Sequence, residues 1–524
     1  MTIKENPDYS YIGSRKSLLK NSSGFLLSRV ITTSVSLISV PIILNRLGIT
    51  GYGTWESILA VSVLSNIFQS TISGTLLWKI STAYGADDMN AMRQYLGMGV
   101  FFSLVAFISI TPLAVIGRNF LMDLFQVPAQ LRSTASVILP FIVGLTILGS
   151  INEVMSALIG GFQRSGKAVL IQASSTMINS LTVIGCLLLG FKFWSLPMGF
   201  MTGFVVYAVF LYRSSARILK TFSLWPKMPE KGVLRGVAPY AGFMLLGAVS
   251  IALRDQTDKI ILATTASPAW TGYFSIAARL TSLVLMICTS IYVPIIAAAG
   301  AMQSRGDWPG VQRLYSDAIT AMAFIVGLFS ALVTGLYDRI LILWIGKPIN
   351  EVGVILYFLI AGNAIAVLLT GTGSAVCKGI GIIQIETIYI IVGLVLNLLL
   401  KFILIPLIGP IGTVISSATS WALSSVLFIT LLHRKTKLPV AGTVRAVKSV
   451  AIGAACAFFS RWLSTQLPIE SSRLGAFVSI IELTIVITLL FAILMILFRA
   501  LPISVLSSVW KIIRNKYETV NSRF

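Results

Sequence analysis

Four charged residues, Arg254, Asp255, Asp258 and Lys259, fall within the run ALRDQTDKII (252–261), inside a long apolar stretch. An ionised side chain at the centre of a membrane-spanning helix costs roughly 2.5–3.5 kcal/mol on insertion scales, so such residues face a bundle interior or a wet cavity. Two chemistries fit the spacing. On a helix Arg254 lies four residues from Asp258, and Asp255 four from Lys259, so the run can neutralise itself as two local ion pairs that fix packing. Alternatively, the four side chains line a water-filled cavity and act on a substrate or a coupling ion. Three further charges bear on the choice: Arg29 in SRVITTSVS, Arg279 in SIAARLTS and Glu56 in GTWES. Neither Arg29 nor Arg279 has an acid within four residues, so local pairing does not account for them, although Arg29 is close enough to a span end to snorkel. Brought together, these residues form a cationic cavity containing a few acids. The planar donor fork of arginine matches phosphate oxygens, which points to an anionic, phosphorylated substrate. Arg29, Arg254, Lys259 and Arg279 are then the candidate substrate-binding residues, and Glu56, Asp255 and Asp258 the candidate cavity or coupling acids.

The elements that must position these charges are membrane helices. Of 524 residues, 56% are hydrophobic and 11% charged, against roughly 25% charged in an ordinary soluble domain. Fourteen apolar segments recur at about 24–46, 54–78, 96–117, 134–160, 169–190, 194–212, 238–263, 271–300, 314–336, 352–376, 385–405, 409–432, 447–466 and 475–499. Each approaches the ~20 residues a helix needs to cross a roughly 30 Å hydrocarbon layer, and none alternates as a barrel strand does. The expected fold class is an all-α polytopic membrane protein of about 14 transmembrane helices. The polar N-terminal stretch lacks the layout of a cleavable signal peptide, so the first apolar segment is expected to remain as a span.

A net charge of +22 would suggest nucleic acid in a soluble protein. Here the basic residues lie in short connectors and read as orientation signals, so no nucleic-acid partner is expected. With the N-terminus cytoplasmic, that side collects 27 Lys and Arg and the opposite side nine. This asymmetry predicts an even number of spans with both termini cytoplasmic.

The longest cytoplasmic connector, RSSARILKTFSLWPKMPEKGVLRG, follows the sixth segment, and afterwards the pattern begins again. GYGTWESILAV (51–61) is echoed by WTGYFSIAARL (270–280), and GGFQRSGKAV (160–169) more weakly by VCKGIGII (376–383). The expected organisation is a cytoplasmic tail (1–23), an N-lobe of six helices (24–212), a basic connector (213–237), a C-lobe of six (238–432), two further helices (433–499) and a cytoplasmic tail (500–524). Repeated bundles with a site between them are a common transporter architecture.

Other motifs carry no chemistry. In GGFQRSGKA the residue after the lysine is Ala168, so the metal-binding hydroxyl of a P-loop is missing, and the glycines join two spans instead of a strand and a helix. Cys186, Cys288, Cys377 and Cys456 lie inside apolar segments without metal or disulfide spacing and read as packing residues. The single histidine, His433, is expected in a solvated basic connector, and tryptophans such as Trp55, Trp78, Trp194, Trp225, Trp308 and Trp344 in an interfacial belt. No connector is long enough to build an active site, so the chain reads as a non-enzyme without cofactor or metal.

PIILNRLGITGYGTWESILAV (41–61) resembles the start of the second helix in polysaccharide transporters of the O-antigen flippase type, members of the multidrug/oligosaccharidyl-lipid/polysaccharide (MOP) exporter superfamily. RDQTDKIILATTASPAWTGYFSIAARL (254–280) is similar to that family's seventh and eighth helices, with Asp258, Gly272, Tyr273, Ala277 and Arg279 at the matching positions. The resemblance implies two pseudo-symmetric six-helix lobes in a V around a central cavity, and alternating access that moves an undecaprenyl-diphosphate-linked oligosaccharide from the cytoplasmic to the periplasmic leaflet of a bacterial inner membrane. It implies lipid-linked oligosaccharide and membrane lipids as partners, proton or sodium coupling, and a polysaccharide polymerase downstream in O-antigen or lipopolysaccharide assembly. The two extra C-terminal helices, absent from twelve-helix drug exporters of the superfamily, favour this branch. A lipid-linked peptidoglycan precursor flippase and a cation-coupled multidrug antiporter remain alternatives. The antiporter should have an acid-dominated cavity.

Overall fold

The computed structural model describes residues 15–162, 164–219, 225–382, 384–436, 438–467 and 472–498. The tail residues 1–14, the middle of the basic connector (220–224) and the C-terminal tail from 499 lie outside the described residues.

All fourteen apolar segments fall on helices. The first two share α1 (Arg15–Gly85), which at 71 residues would run about 107 Å if straight, more than two hydrocarbon thicknesses. It is interrupted at Gly48, whose φ of 70° and ψ of 173° lie in a region essentially closed to residues with a Cβ. The glycine of RLGITGYG thus ends one helical run and starts the next at the boundary expected between the first two segments.

The other helices are α2 (Met89–Leu124), α3 (Ala129–Gly161), α4 (Ser165–Leu188), α5 (Ser195–Leu219), α6 (Lys231–Thr265), α7 (Pro268–Ser304), α8 (Trp308–Trp344), α9 (Asn350–Ala366), α10 (Thr372–Gly379), α11 (Gln384–Ile408), α12 (Ile411–Lys435), α13 (Val440–Gln466) and α14 (Arg473–Leu497). A π-helical turn, Val367–Gly371, joins α9 to α10. Asp88, Asp307 and Ser472 cap α2, α8 and α14 by accepting from Ala91, Gly310 and Gly475 N–H groups at 2.8–3.0 Å.

Among the described residues twelve helices are long and apolar enough to cross a membrane, the first being the interrupted Leu27–Tyr84 stretch. Helix faces turned away from the protein carry side chains such as Ile116 and Phe402, both 80% exposed, and Phe458 at 78%. That surface suits hydrocarbon and not water. The protein is a multi-pass membrane protein.

The chain forms two compact units, Met1–Gly272 and Tyr273–Phe524. In the first, α1 packs against α3, α4 and α6, α2 against α3, and α4 against α5. One core cluster gathers Leu76, Ile80, Met92, Leu96, Val154 and Leu158.

In the second unit α8 packs along α13 and α14, and α12 along α9 and α11. Small residues permit the α8–α13 approach: a Cβ on Gly335 would run into Ser460 Oγ, and one on Gly453 would lie 2.8 Å from Gly327 Cα. Cys288 and Cys377 sit in one core cluster of this unit and Cys456 in another.

Two sequence expectations are corrected here. Trp55 is only 8% exposed and belongs to the packed interior of the first unit, not to an interfacial belt. His433 is not a solvated connector residue. Its Nδ1 lies 3.2 Å from the Leu438 carbonyl and its Nε2 3.0 Å from Thr443 Oγ1, which also contacts the Tyr315 hydroxyl at 3.0 Å. The ring closes the α12–α13 turn against α8, because α12 continues helical through Lys435 and carries it back into the bundle.

Candidate functional site

Glu56 and Lys259 meet across α1 and α6. The Lys259 ammonium lies 2.8 Å from Glu56 Oε2, with the acid's side chain 4% exposed and the lysine's 19%. Gly53, one turn before Glu56, makes this approach feasible, since a Cβ there would collide with the Pro268 carbonyl. Gly272 does the same from the other side: its Cβ would stand 2.8 Å from Ile49 Cδ1. The two echoed motifs, GYGTW and WTGYF, are therefore in backbone contact at their glycines.

Of the other sequence-predicted residues, Asp258 is buried on α6 at 3% exposure. Arg254 is exposed on α6 and Arg29 exposed on α1. Asp255 directly follows Arg254 on α6. Arg279 is half-buried on α7, in the second unit. The structure thus joins Glu56 and Lys259 in an ion pair and leaves the Arg29 and Arg254 side chains accessible.

A second polar group in the first unit was not anticipated from sequence. A cavity of about 240 Å³ opens among α1, α3, α4 and α5. Its α1 wall carries Ser62, Asn66 and Gln69 at helical spacing, and α3 contributes Thr146, Asn152 and Glu153. Gln172, Ser175 and Thr176 come from α4, and Phe200, Phe204 and Tyr207 from α5. Glu153 Oε1 accepts from the Tyr207 hydroxyl at 3.1 Å, and Ser175 Oγ donates to the Gly203 carbonyl at 2.6 Å. Gln69 donates to the Thr146 carbonyl, a contact that Gly149 allows, since a Cβ there would sit 2.6 Å from Gln69 Nε2. The signal available in sequence was Glu153 itself, a carboxylate seven residues inside the end of the 134–160 segment.

The second unit holds a different charged cluster on α8 and α13. Arg461 pairs with Asp338 and its guanidinium lies 4.7 Å from the Tyr337 ring centroid. Arg339, 1% exposed, donates to the Ser464 hydroxyl and carbonyl and to the Leu467 carbonyl. Arg339 and Arg461 read in sequence as charges on the sparsely basic side; α8 runs on to Trp344 and holds Asp338 and Arg339 buried, with Arg461 of α13 half-buried against them. Among the described residues no group of His, Cys, Asp and Glu is arranged to hold a metal ion.

The fold is that of a multi-pass helical membrane protein, and it resembles those of several solved membrane transporters. Three similarities carry that statement. A lipid II flippase, MurJ, in an inward closed conformation superposes with a TM-score of 0.71 over 91% of this chain and 98% of that one, at 13% identity. An inward-facing multidrug resistance MATE family transporter of the MOP superfamily gives 0.62 over 77% and 94%, at 15% identity. A MOP superfamily transporter from Pyrococcus furiosus, described as having a binding pocket of reversed polarity, gives 0.54 over 80% and 95%, at 15% identity. At such identities the likeness is one of fold. By sequence, the chain is 20% identical over 351 residues to EpsK of Bacillus subtilis (strain 168), an uncharacterised membrane protein, covering 64% of this chain and 67% of that one. No family model matches the chain.

Proposed function

We propose that this protein is a flippase that moves an undecaprenyl-diphosphate-linked oligosaccharide from the cytoplasmic to the periplasmic leaflet by alternating access, for assembly of an O-antigen or similar surface polysaccharide. The observation that carries the reading is the state of the arginines within apolar helices. Arg29 and Arg254 have exposed side chains, and Lys259, five residues after Arg254, pairs with Glu56. Exposed guanidinium groups on apolar helices favour a phosphorylated head group, because a guanidinium can take diphosphate oxygens two at a time. An antiporter of cationic drugs would instead use acids open to a cavity; Glu56 and Asp258 are both buried, and Glu153, which lines the first-unit cavity, is the acid that alternative would rely on.

In this reading Arg29 and Arg254 of the first unit are candidate diphosphate ligands, Arg279 of the second unit is considered separately as another, and the Glu56–Lys259 pair fixes α6 against α1. Asp258 is the acid available for proton or sodium coupling. Fourteen spans, two six-helix lobes, cytoplasmic termini and an inner-membrane location complete the proposal, with a polysaccharide polymerase consuming the product. The similarity in fold to a lipid II flippase supports a lipid-linked substrate as the cargo class.

The test is leaflet transfer in proteoliposomes. The intact protein should move a fluorescent undecaprenyl-diphosphate oligosaccharide, and Arg254→Ala and Arg279→Ala should each slow it at least tenfold while inserting normally. Transfer of a lipid-linked peptidoglycan precursor in its place, or exchange of small organic cations for protons, would assign the chain to one of the alternative classes.

A further inference from the structure

The cavity of the first unit has no part in holding a diphosphate, because its lining contains no lysine, arginine or histidine. Carboxamides, hydroxyls and one carboxylate line it, with Phe200, Phe204 and Tyr207 along one side. Two of its polar groups are buried without a hydrogen-bond partner: Asn152 Nδ2, on a residue 3% exposed, and Thr146 Oγ1, on a residue 6% exposed. An orphaned amide or hydroxyl inside a membrane protein is destabilising, and an occupant of the cavity that these two groups turn to meet would recover that loss.

The chemistry of the lining selects the occupant. The carboxamide, hydroxyl and carboxylate oxygens here could serve a cation, but a bare cation makes no use of the aromatic side formed by Phe200, Phe204 and Tyr207 or of a space this size. A neutral polyhydroxylated ring supplies what is missing, because each hydroxyl both donates and accepts. One can donate to the Glu153 carboxylate while accepting from Asn152, and a neighbouring hydroxyl can reach Thr146 or Gln172. The aromatic side chains offer apolar surface for the C–H face of such a ring. A volume of about 240 Å³ is far beyond the ~10–15 Å³ that holds one water. It is below the roughly 300–1,000 Å³ of pockets for drug-sized ligands, which fits a single ring and not a whole oligosaccharide.

We infer that this cavity, centred on Asn152 and Glu153, is a saccharide subsite that takes one neutral pyranose ring of the glycan. The inference names a part of the substrate in the flippase reading and rests on it. The subsite gives the protein selectivity for the sugar independent of the diphosphate.

Saturation-transfer NMR on the purified full-length protein tests it, with methyl pyranosides of glucose, galactose, N-acetylglucosamine and rhamnose as probes at millimolar concentration. At least one glycoside should receive saturation from the protein. Glu153→Gln and Asn152→Leu should each cut that signal at least fivefold, and exchanging sodium for choline should leave it unchanged. If Asn152→Leu does not fold, Gln172→Leu on the opposite wall reads the same loss. Absence of signal from all four glycosides, or a signal that both variants preserve, would overturn the subsite. So would sodium binding that depends on Glu153 without any glycoside signal, since the cavity would then be a cation site. Leaflet transfer separates this from the parent reading: Glu153→Gln should slow a glycan-bearing lipid diphosphate at least tenfold and a sugar-free one less than twofold. If the intact protein moves neither lipid but binds a glycoside, the flippase reading falls and the subsite stands.

Discussion

Each unit sets polar residues within apolar helices, and the two sets are built in opposite ways. In the second unit Asp338, Arg461, Arg339 and Ser464 meet side by side, and the guanidinium of Arg461 is covered by the Tyr337 ring. That cluster joins α8 to α13. In the first unit Asn152, Glu153 and Thr146 surround open volume; each set leaves polar atoms without a protein partner, Asn152 Nδ2 and Thr146 Oγ1 here and Arg339 Nε there, so it is the space that separates the two. Buried polarity that partners itself fastens helices; buried polarity arranged around a space is available to a ligand. The contrast predicts that substitutions in the second unit's cluster act on stability and those around the first unit's cavity on transport.

The largest effect is expected at Asp338. Asp338→Leu leaves two arginines without their acid, and breaking a buried pair from one side costs about 3–5 kcal/mol. Thermal unfolding in detergent should show little folded protein, with most of the loss recovered in Asp338→Leu/Arg461→Met. Lys259→Met removes the ammonium that faces buried Glu56 and should cost about 3 kcal/mol, with Glu56→Leu added to the same chain restoring the midpoint. Gly48→Val should cost about 1–3 kcal/mol, because valine is strained at a φ of 70°; the same unfolding measurement reads it. Tyr207→Phe removes one hydrogen bond to Glu153 and should shift stability by about 1 kcal/mol. Glu153→Gln, smallest on this scale, should leave the midpoint within about 0.5 kcal/mol while glycan-lipid transfer falls. A large loss of stability in Glu153→Gln would break the comparison by making the cavity another fastening.

Much of the helical framework was legible in sequence because hydrocarbon demands it. A segment that spans must be apolar for about 20 residues, and a turn with positive φ needs a glycine such as Gly48. Partners were less legible. Helical spacing offers Asp255 to Lys259, but the ammonium is held by Glu56 on a helix 203 residues earlier, and nothing local encodes that. Glu153 was overlooked because one carboxylate among INEVMSALIG barely changes the average polarity of its segment. Arg339 and Arg461 were counted as connector charges, yet one is 1% exposed and the other paired within the bundle. Removing them from the sparsely charged side strengthens the asymmetry behind the proposed orientation.

The measurement that bears most directly on the central proposal is transfer of a fluorescent undecaprenyl-diphosphate oligosaccharide between leaflets in proteoliposomes, comparing the intact protein with Arg254→Ala. The account predicts transfer well above protein-free vesicles, reduced at least tenfold in a variant that inserts and folds normally. Transfer no faster than in protein-free vesicles, or a rate unchanged by Arg254→Ala, would contradict it.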